Sequence, residues 1–243
     1  PIICATAYTK SIAQIADKHC DIILVGDSLG MVLYGMKTTR EVTMDMMILH
    51  TRAVKKFTKR SLIVSDMPYR SYKNKFVAYK NAKKLMKMTG CNAVKLEGGK
   101  SIVKIIKYLT KKKIPVMGHV GLMPQTSVNF KVKGKNLAQE KSIFEDAKAV
   151  SNSGAFALII ECVVEKLAKK ITKNILVPTI GIGASKYCDG QILVTDDMLG
   201  LSDFYPKFVK KYSNLKKIIE LSFMKYAKDV KLRKFPSNKN VYN

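Results

Sequence analysis

The chain has 243 residues, 47% of them hydrophobic, with 14 glycines and 7 prolines. That composition builds a sizeable core and lies outside the signature of disorder. The formal net charge of +26 would first suggest a polyanion partner, but arginine, the residue favoured for bidentate phosphate and base recognition, occurs only at Arg40, Arg52, Arg60, Arg70 and Arg233. The lysines fall in short scattered groups such as Lys55-Lys56, Lys83-Lys84 and Lys111 to Lys113, so a solvated lysine-rich surface is favoured over steering of anionic substrates and over nucleic-acid binding.

In chain order, short apolar runs alternate with amphipathic stretches, the pattern of parallel strands joined by crossover helices. The runs are Ile2 to Ala5, Ile22 to Val25, Leu62 to Ser65, Ala93 to Leu96, Val116 to His119, Ala157 to Ile160, Val177 to Ile180 and Gln191 to Val194. Helices are expected near Ser11 to Lys18, Thr43 to Phe57, Val77 to Met88, Ile102 to Leu109, Lys141 to Ser153 and Val164 to Lys170. Eight strands in a chain close to the typical 250 residues point to a (β/α)8 barrel in one domain, residues 1–243. The interval Gly181 to Gly190 is too short for a regular helix and predicts a loop or a single turn. Beyond the last strand, Asp203 to Tyr212 and Asn214 to Lys228 read as helical and Lys234 to Asn243 as an irregular tail.

Five cysteines (Cys4, Cys20, Cys91, Cys162, Cys188) are odd in number, widely spaced and without a CxxC pair, which fits reduced thiols better than a disulfide framework or a zinc site. No signal peptide opens the chain and no apolar run is long enough for a membrane helix, so a cytoplasmic enzyme is expected. Because Pro1 stands directly before a strand-like run, a short preceding native segment is expected as well.

Catalytic groups of a barrel project from the C-terminal ends of its strands, so polar residues there carry more information than polar residues elsewhere. The second run ends in Gly26-Asp27-Ser28 and the third in Asp66. The fourth contains Lys95 and ends at Glu97, the fifth ends at His119 and the sixth at Glu161. Each carboxylate taken singly could be a helix cap, but their recurrence at strand ends favours a site. Asp27, Asp66 and Glu97 form an oxygen-only set suited to a hard cation such as Mg²⁺. A 2-oxo acid could chelate such an ion, which would stabilise a developing enolate.

Lys95, two residues before Glu97, shares its strand face, either to bind a substrate carboxylate or to form a structural ion pair. Ser28 is either a hydrogen-bond donor to the same carboxylate or a cap. Glu161, after an apolar run, is a candidate general base. His119 is a competing candidate for a substrate-site or supporting role, or a packing residue. Gly181-Ile182-Gly183-Ala184 is either an anion-cradling turn or a tight strand exit.

Six stretches then match one family in order: Ile23-Leu24-Val25-Gly26-Asp27-Ser28-Leu29-Gly30-Met31-Val32, Asp66-Met67-Pro68-Tyr69, Val94-Lys95-Leu96-Glu97-Gly98-Gly99, Pro115-Val116-Met117-Gly118-His119-Val120-Gly121-Leu122, Pro178-Thr179-Ile180-Gly181-Ile182-Gly183-Ala184 and Cys188-Asp189-Gly190-Gln191-Ile192-Leu193-Val194. The chain resembles the ketopantoate hydroxymethyltransferases from Ala7-Tyr8 to Phe235-Pro236.

The resemblance implies an α/β TIM barrel of the phosphoenolpyruvate/pyruvate-type superfamily. It places Asp27, Asp66 and Glu97 at a magnesium site, Glu97 through water. Ser28 and Lys95 hold the oxo acid, with Asp27, Asp66 and His119 also at the substrate, and Glu161 is the proton acceptor. It further implies 3-methyl-2-oxobutanoate as substrate, 5,10-methylenetetrahydrofolate as one-carbon donor, 2-dehydropantoate for pantothenate and coenzyme A synthesis as product, and a homo-oligomer, commonly a decamer, without nucleic-acid or membrane partners. Thr9, Val164 and Ser185 depart from the family pattern as aspartate, proline and glycine positions respectively, which puts loop geometry and folate affinity in question. Two other readings stand beside this one: a Mg-dependent barrel lyase or aldolase acting on 2-oxo acids, and a basic nucleic-acid-binding protein.

Overall fold

The computed structural model describes residues 1–127 and 131–242. Eight parallel strands close into a barrel in sequential order: β1 (Ile2–Thr6), β2 (Ile22–Val25), β3 (Leu62–Asp66), β4 (Ala93–Glu97), β5 (Val116–Gly121), β6 (Ala157–Glu161), β7 (Thr179–Ile182) and β8 (Gly190–Leu193). The ring shuts where Cys4 of β1 stands beside Ile192 of β8. The helices are α1 (Lys10–His19), α2 (Leu29–Tyr34), α3 (Met44–Lys56), α4 (Lys75–Thr89), α5 (Val103–Lys111), α6 (Leu137–Ser151), α7 (Glu165–Asn174), α8 (Thr195–Leu199) and α9 (Leu215–Lys231). No helix separates β7 from β8, as the short interval predicts. The chain divides into two compact units, 1–194 and 195–243.

Strand alternation sorts the apolar residues into two layers. Cys4, Ile22, Leu24, Val64, Ala93, Met117, Ala157, Ile159, Ile180 and Ile192 pack together in the barrel interior. Their alternates, including Ile23, Val25, Ile63, Val94, Leu96, Val116, Leu158 and Ile160, pack outward with buried helix residues such as Met47, Val54, Leu85, Ile106 and Leu167. Full burial of each such side chain contributes roughly 1.5–3 kcal/mol, so the outer, more populous layer carries most of the hydrophobic stabilisation. Gly118 serves that layer directly, because a Cβ there would stand 2.3 Å from Val150 Cγ1 of α6. Its absence lets helix and strand approach.

Local chemistry explains the helix boundaries. The Asn74 side chain accepts from the N–H groups of Phe76 and Val77, and α4 ends at Gly90 in the left-handed conformation. Thr43 and Asn136 cap α3 and α6 in the same way. Two sequence expectations fail. Asp203 to Tyr212 is not helical: Pro206 lacks a backbone donor and disfavours helix at Tyr205 before it, and the Asp203 carboxylate is engaged instead by Lys216. The short helix α2 was not anticipated; it ends at Gly35, again left-handed.

All five cysteines are free thiols. Among the described residues no helix is long and apolar enough to cross a membrane. Lys95 is the one buried lysine among the described residues, so the rest of the lysine charge faces solvent.

Candidate active site

The interior layer ends where the polar residues begin. Two residues beyond Val64 comes Asp66, beyond Ala93 come Lys95 and then Glu97, beyond Met117 comes His119, and beyond Ile159 comes Glu161. The same alternation that points the apolar side chains inward therefore points these five into the mouth. Barrel register then makes neighbours of them: Asp66 stands beside Lys95, and Glu97 beside His119. Asp27 reaches the same place from the turn after β2, its backbone N–H donating to Asp66 Oδ2 at 3.0 Å.

Lys95 is the hub. Its Nζ lies 3.1 Å from Asp66 Oδ1, 3.7 Å from Glu97 Oε1 and 3.3 Å from His119 Nδ1. Burial works against its charge, but the Asp66, Glu97 and Asp27 carboxylates override that cost and hold the ammonium well above the ordinary lysine range. Three carboxylates thus share one cation. The consequence is visible in Asp27, which burial and the Asp66 charge push well above the carboxylate range although Lys95 and Gln125 oppose the shift. Glu97 is raised too, by burial first, with Lys95 and the Gln125 N–H opposing it.

His119 is buried, and burial together with the Lys95 charge lowers its pKa well below the ordinary value. It is a neutral imidazole. With Lys95 donating to Nδ1, the proton sits on Nε2, which faces Glu161 Oε2 at 3.4 Å without a well-aligned hydrogen bond among the described residues. Glu161 keeps 17% of its side chain exposed. Burial and the Glu97 charge raise its pKa to about 8, a value suited to a base working near neutral pH. Its backbone is fixed on both sides: the Glu161 carbonyl accepts from Leu122 N–H at 2.8 Å, and Gly121 (φ +98) has a hydrogen where a Cβ would stand 2.3 Å from that carbonyl oxygen. Cys162, immediately after, holds φ +49, a conformation that costs a non-glycine residue energy and is retained near functional sites.

The donor set fits a hard cation. All the oxygens are carboxylate, negative charge is in excess, and buried Asp66 Oδ1, ion-paired with Lys95 Nζ at 3.1 Å, has no well-aligned hydrogen bond among the described residues. The expected three-carboxylate set is nonetheless not assembled alike at each member. Among the described residues no three His, Cys, Asp or Glu side chains gather as a metal cage. Asp27 and Asp66 stand together, whereas Glu97 turns Oε2 to the Gln125 N–H (3.0 Å) and Oε1 toward Lys95.

Ser28 stands at the start of α2 without a side-chain capping bond; its Oγ pairs with Tyr8 Oη at 2.8 Å at the rim. Of the Gly181 to Ala184 turn, Gly181 and Ile182 belong to β7 and Gly183 has φ +58.

The departures from the family pattern are accommodated locally. Thr9 is an extended residue before α1 that makes no capping bond. Val164 donates its N–H to the Lys133 carbonyl at 3.0 Å, a bond a proline could not make. Ser185 Oγ donates to Glu165 Oε1 and accepts from Tyr187 N–H. Sequence reasoning missed Gln125, Tyr72 and Tyr8, whose positions in loops carry no periodic signal.

The family model described as ketopantoate hydroxymethyltransferase matches residues 1–238. The 3-methyl-2-oxobutanoate hydroxymethyltransferase of Pelagibacter ubique is 54% identical over 241 residues, covering 99% of this chain and 94% of its own. That of Phenylobacterium zucineum is 52% identical, covering 100% and 90%. Among solved structures, a 2,3-dimethylmalate lyase of the PEP mutase/isocitrate lyase superfamily superposes with a TM-score of 0.64 at 10% identity over 99% of this chain and 83% of its own. A phosphonopyruvate hydrolase in complex with oxalate and Mg²⁺ gives 0.60 at 12% over 98% and 88%. At such identities these two show the shared fold alone.

Proposed function

This chain belongs to the ketopantoate hydroxymethyltransferase family, and from that premise we propose that its site transfers a hydroxymethyl group from 5,10-methylenetetrahydrofolate to 3-methyl-2-oxobutanoate, giving 2-dehydropantoate for pantothenate synthesis. The observation that carries the mechanism is the placement of Glu161 beside His119, at the edge of a cluster of buried carboxylates that shares a single ammonium, where burial raises its pKa.

Asp27 and Asp66 would hold Mg²⁺, with Glu97 bearing on it through water. When bound, the ion supplies Lewis-acid polarisation of the keto oxygen, which makes the neighbouring C–H acidic. Glu161 removes the C3 proton of the oxo acid and holds it on its carboxyl group. Carbon C3 then bonds to the one-carbon unit as one of its two C–N bonds to the folate breaks, water displaces the other to supply the hydroxyl, and the two folate nitrogens take up one proton from that water and the one held on Glu161. Lys95 and Ser28 hold the substrate carboxylate, the first by charge and the second by hydrogen bonding. His119 offers its Nε2–H as a neutral donor beside Glu161.

The unit 195–243 supports a homo-oligomer of this enzyme. No residue of α9 is buried, and Ile219, Phe223, Met224 and Tyr226 along it are exposed, an apolar surface that a second copy would cover. The reduced cytoplasm is its expected compartment, in keeping with five free thiols.

Turnover of 3-methyl-2-oxobutanoate, with and without methylenetetrahydrofolate and with and without Mg²⁺, tests the proposal. Product is expected only when both are present. Turnover without the folate would instead favour a lyase or aldolase of the same fold.

A further inference from the structure

Gln125 lies in a turn after β5, with the N–H groups of Thr126 and Ser127 both donating to the Met123 carbonyl. It is only 1% exposed and belongs to neither a strand nor a helix. Its side-chain Nε2 donates to Asp27 Oδ2 at 2.7 Å and to the Met67 carbonyl at 3.0 Å, while its backbone N–H donates to Glu97 Oε2 at 3.0 Å. Its Oε1 accepts from Tyr72 Oη, and its backbone carbonyl accepts from Arg40 Nε at 2.9 Å. One residue therefore joins the polar ends of β2, β3 and β4 to the loop after β5.

The amide orientation is decided by its surroundings. The Met67 carbonyl can only accept, so the NH₂ group must face it; that places Oε1 toward the Tyr72 hydroxyl, a donor. Nε2 is then the direct hydrogen-bond donor to one Asp27 oxygen, leaving the other free to turn elsewhere. Second partners of this kind fix ligand carboxylates in metal sites.

We propose that Gln125 is a positioning residue that couples seating of the Leu122–Ser127 loop to the arrangement of the carboxylates: the loop cannot close without delivering the donors that orient Asp27 and Glu97. The inference rests on the reading that Asp27 and Asp66 hold Mg²⁺. It assigns to Arg40 and Tyr72 the task of holding Gln125, since among the described residues neither hydrogen-bonds an Asp27 oxygen.

The test is Mg²⁺ binding by titration calorimetry on the full chain, with and without 3-methyl-2-oxobutanoate, for the wild type, Gln125→Met and Tyr72→Phe. Gln125→Met keeps the side-chain length but removes both amide functions. It is expected to weaken Mg²⁺ binding by about tenfold or more, the range for loss of an outer-shell partner. Half-saturating Mg²⁺ for turnover should rise in parallel while kcat at saturating Mg²⁺ falls less. Tyr72→Phe frees Oε1, together with the Glu97 carbonyl that the same hydroxyl approaches at 3.3 Å, and should shift Mg²⁺ binding in the same direction by a few-fold.

A residue that merely packs the loop would lower the melting temperature and leave the Mg²⁺ affinity of the folded protein unchanged; that result overturns the inference. If Gln125→Met does not fold, Tyr72→Phe decides, and unaltered affinity there overturns it. Absence of Mg²⁺ binding by the wild type would remove the cation reading and this inference together, whereas wild-type binding with both variants unchanged removes this inference alone.

Discussion

The two sides of the barrel mouth hold carboxylates in opposite circumstances. On one, Asp27, Asp66 and Glu97 are gathered around the Lys95 ammonium and the Gln125 donors. On the other, Glu161 faces a neutral imidazole and takes its raised pKa of about 8 from burial and from the Glu97 charge. The same chemical group thus has two assignments set by environment alone. Burial raises Asp27 and Glu97 as well as Glu161, but at the first two Lys95 and the Gln125 donors oppose the rise, so on the proposed reading that side binds and Glu161 takes up the proton.

The largest expected effect breaks the second side. Glu161→Gln should slow exchange of the substrate C3 proton with solvent by about 10²–10⁴-fold, the usual contribution of a positioned general base, while Mg²⁺-dependent oxo-acid binding persists. Proton NMR in D₂O reads this directly, and wild-type exchange rates in the variant would reassign the base. Breaking the first side should do the reverse. Asp27→Asn combined with Asp66→Asn is expected to weaken Mg²⁺ binding by more than the roughly 10–100-fold associated with outer-shell partners; calorimetry showing intact affinity would move the cation elsewhere.

Lys95→Met probes what holds the first side together. It leaves the carboxylates without their ammonium, and removing one partner of a buried ion pair costs about 3–5 kcal/mol. Denaturant unfolding should show that loss, and added Mg²⁺ should restore part of it by binding the folded state.

The smallest effect sharpens the contrast through pH. Folded Glu161 keeps its proton up to a pH of about 8, whereas the free side chain ionises near its ordinary 4.5. Its contribution to stability is therefore complete below the lower value and is lost as pH rises through the higher one. Glu161→Gln escapes that loss. Its melting temperature relative to the wild type, measured without Mg²⁺, should climb by a few degrees between about pH 5 and about pH 9. A flat difference across that range would show that Glu161 is ionised throughout.

Much of the site was legible because barrel geometry converts sequence position into place. Asp66, Lys95, Glu97, His119 and Glu161 follow interior apolar residues at the two-residue spacing of a strand, so finding the strand ends finds the mouth. Gln125 escaped because a turn has no period, and its partner Asp27 is 98 residues away. Asp203 to Tyr212 was misread because apolar spacing resembled a helix while Pro206 and the Asp203–Lys216 pair directed the backbone elsewhere.

The sequence by itself determined the alternation of strand and helix, the closed barrel that eight such units make, and the residue types at the mouth. These depend on local periodicity and on which side chains prefer burial. Tertiary structure decided which carboxylate has company and which has not. Protonation depends on distances between strands and on the dielectric around each group: Lys95 reaches Asp66 across β3 and β4, whereas among the described residues Glu161 pairs with His119. No local pattern encodes those separations.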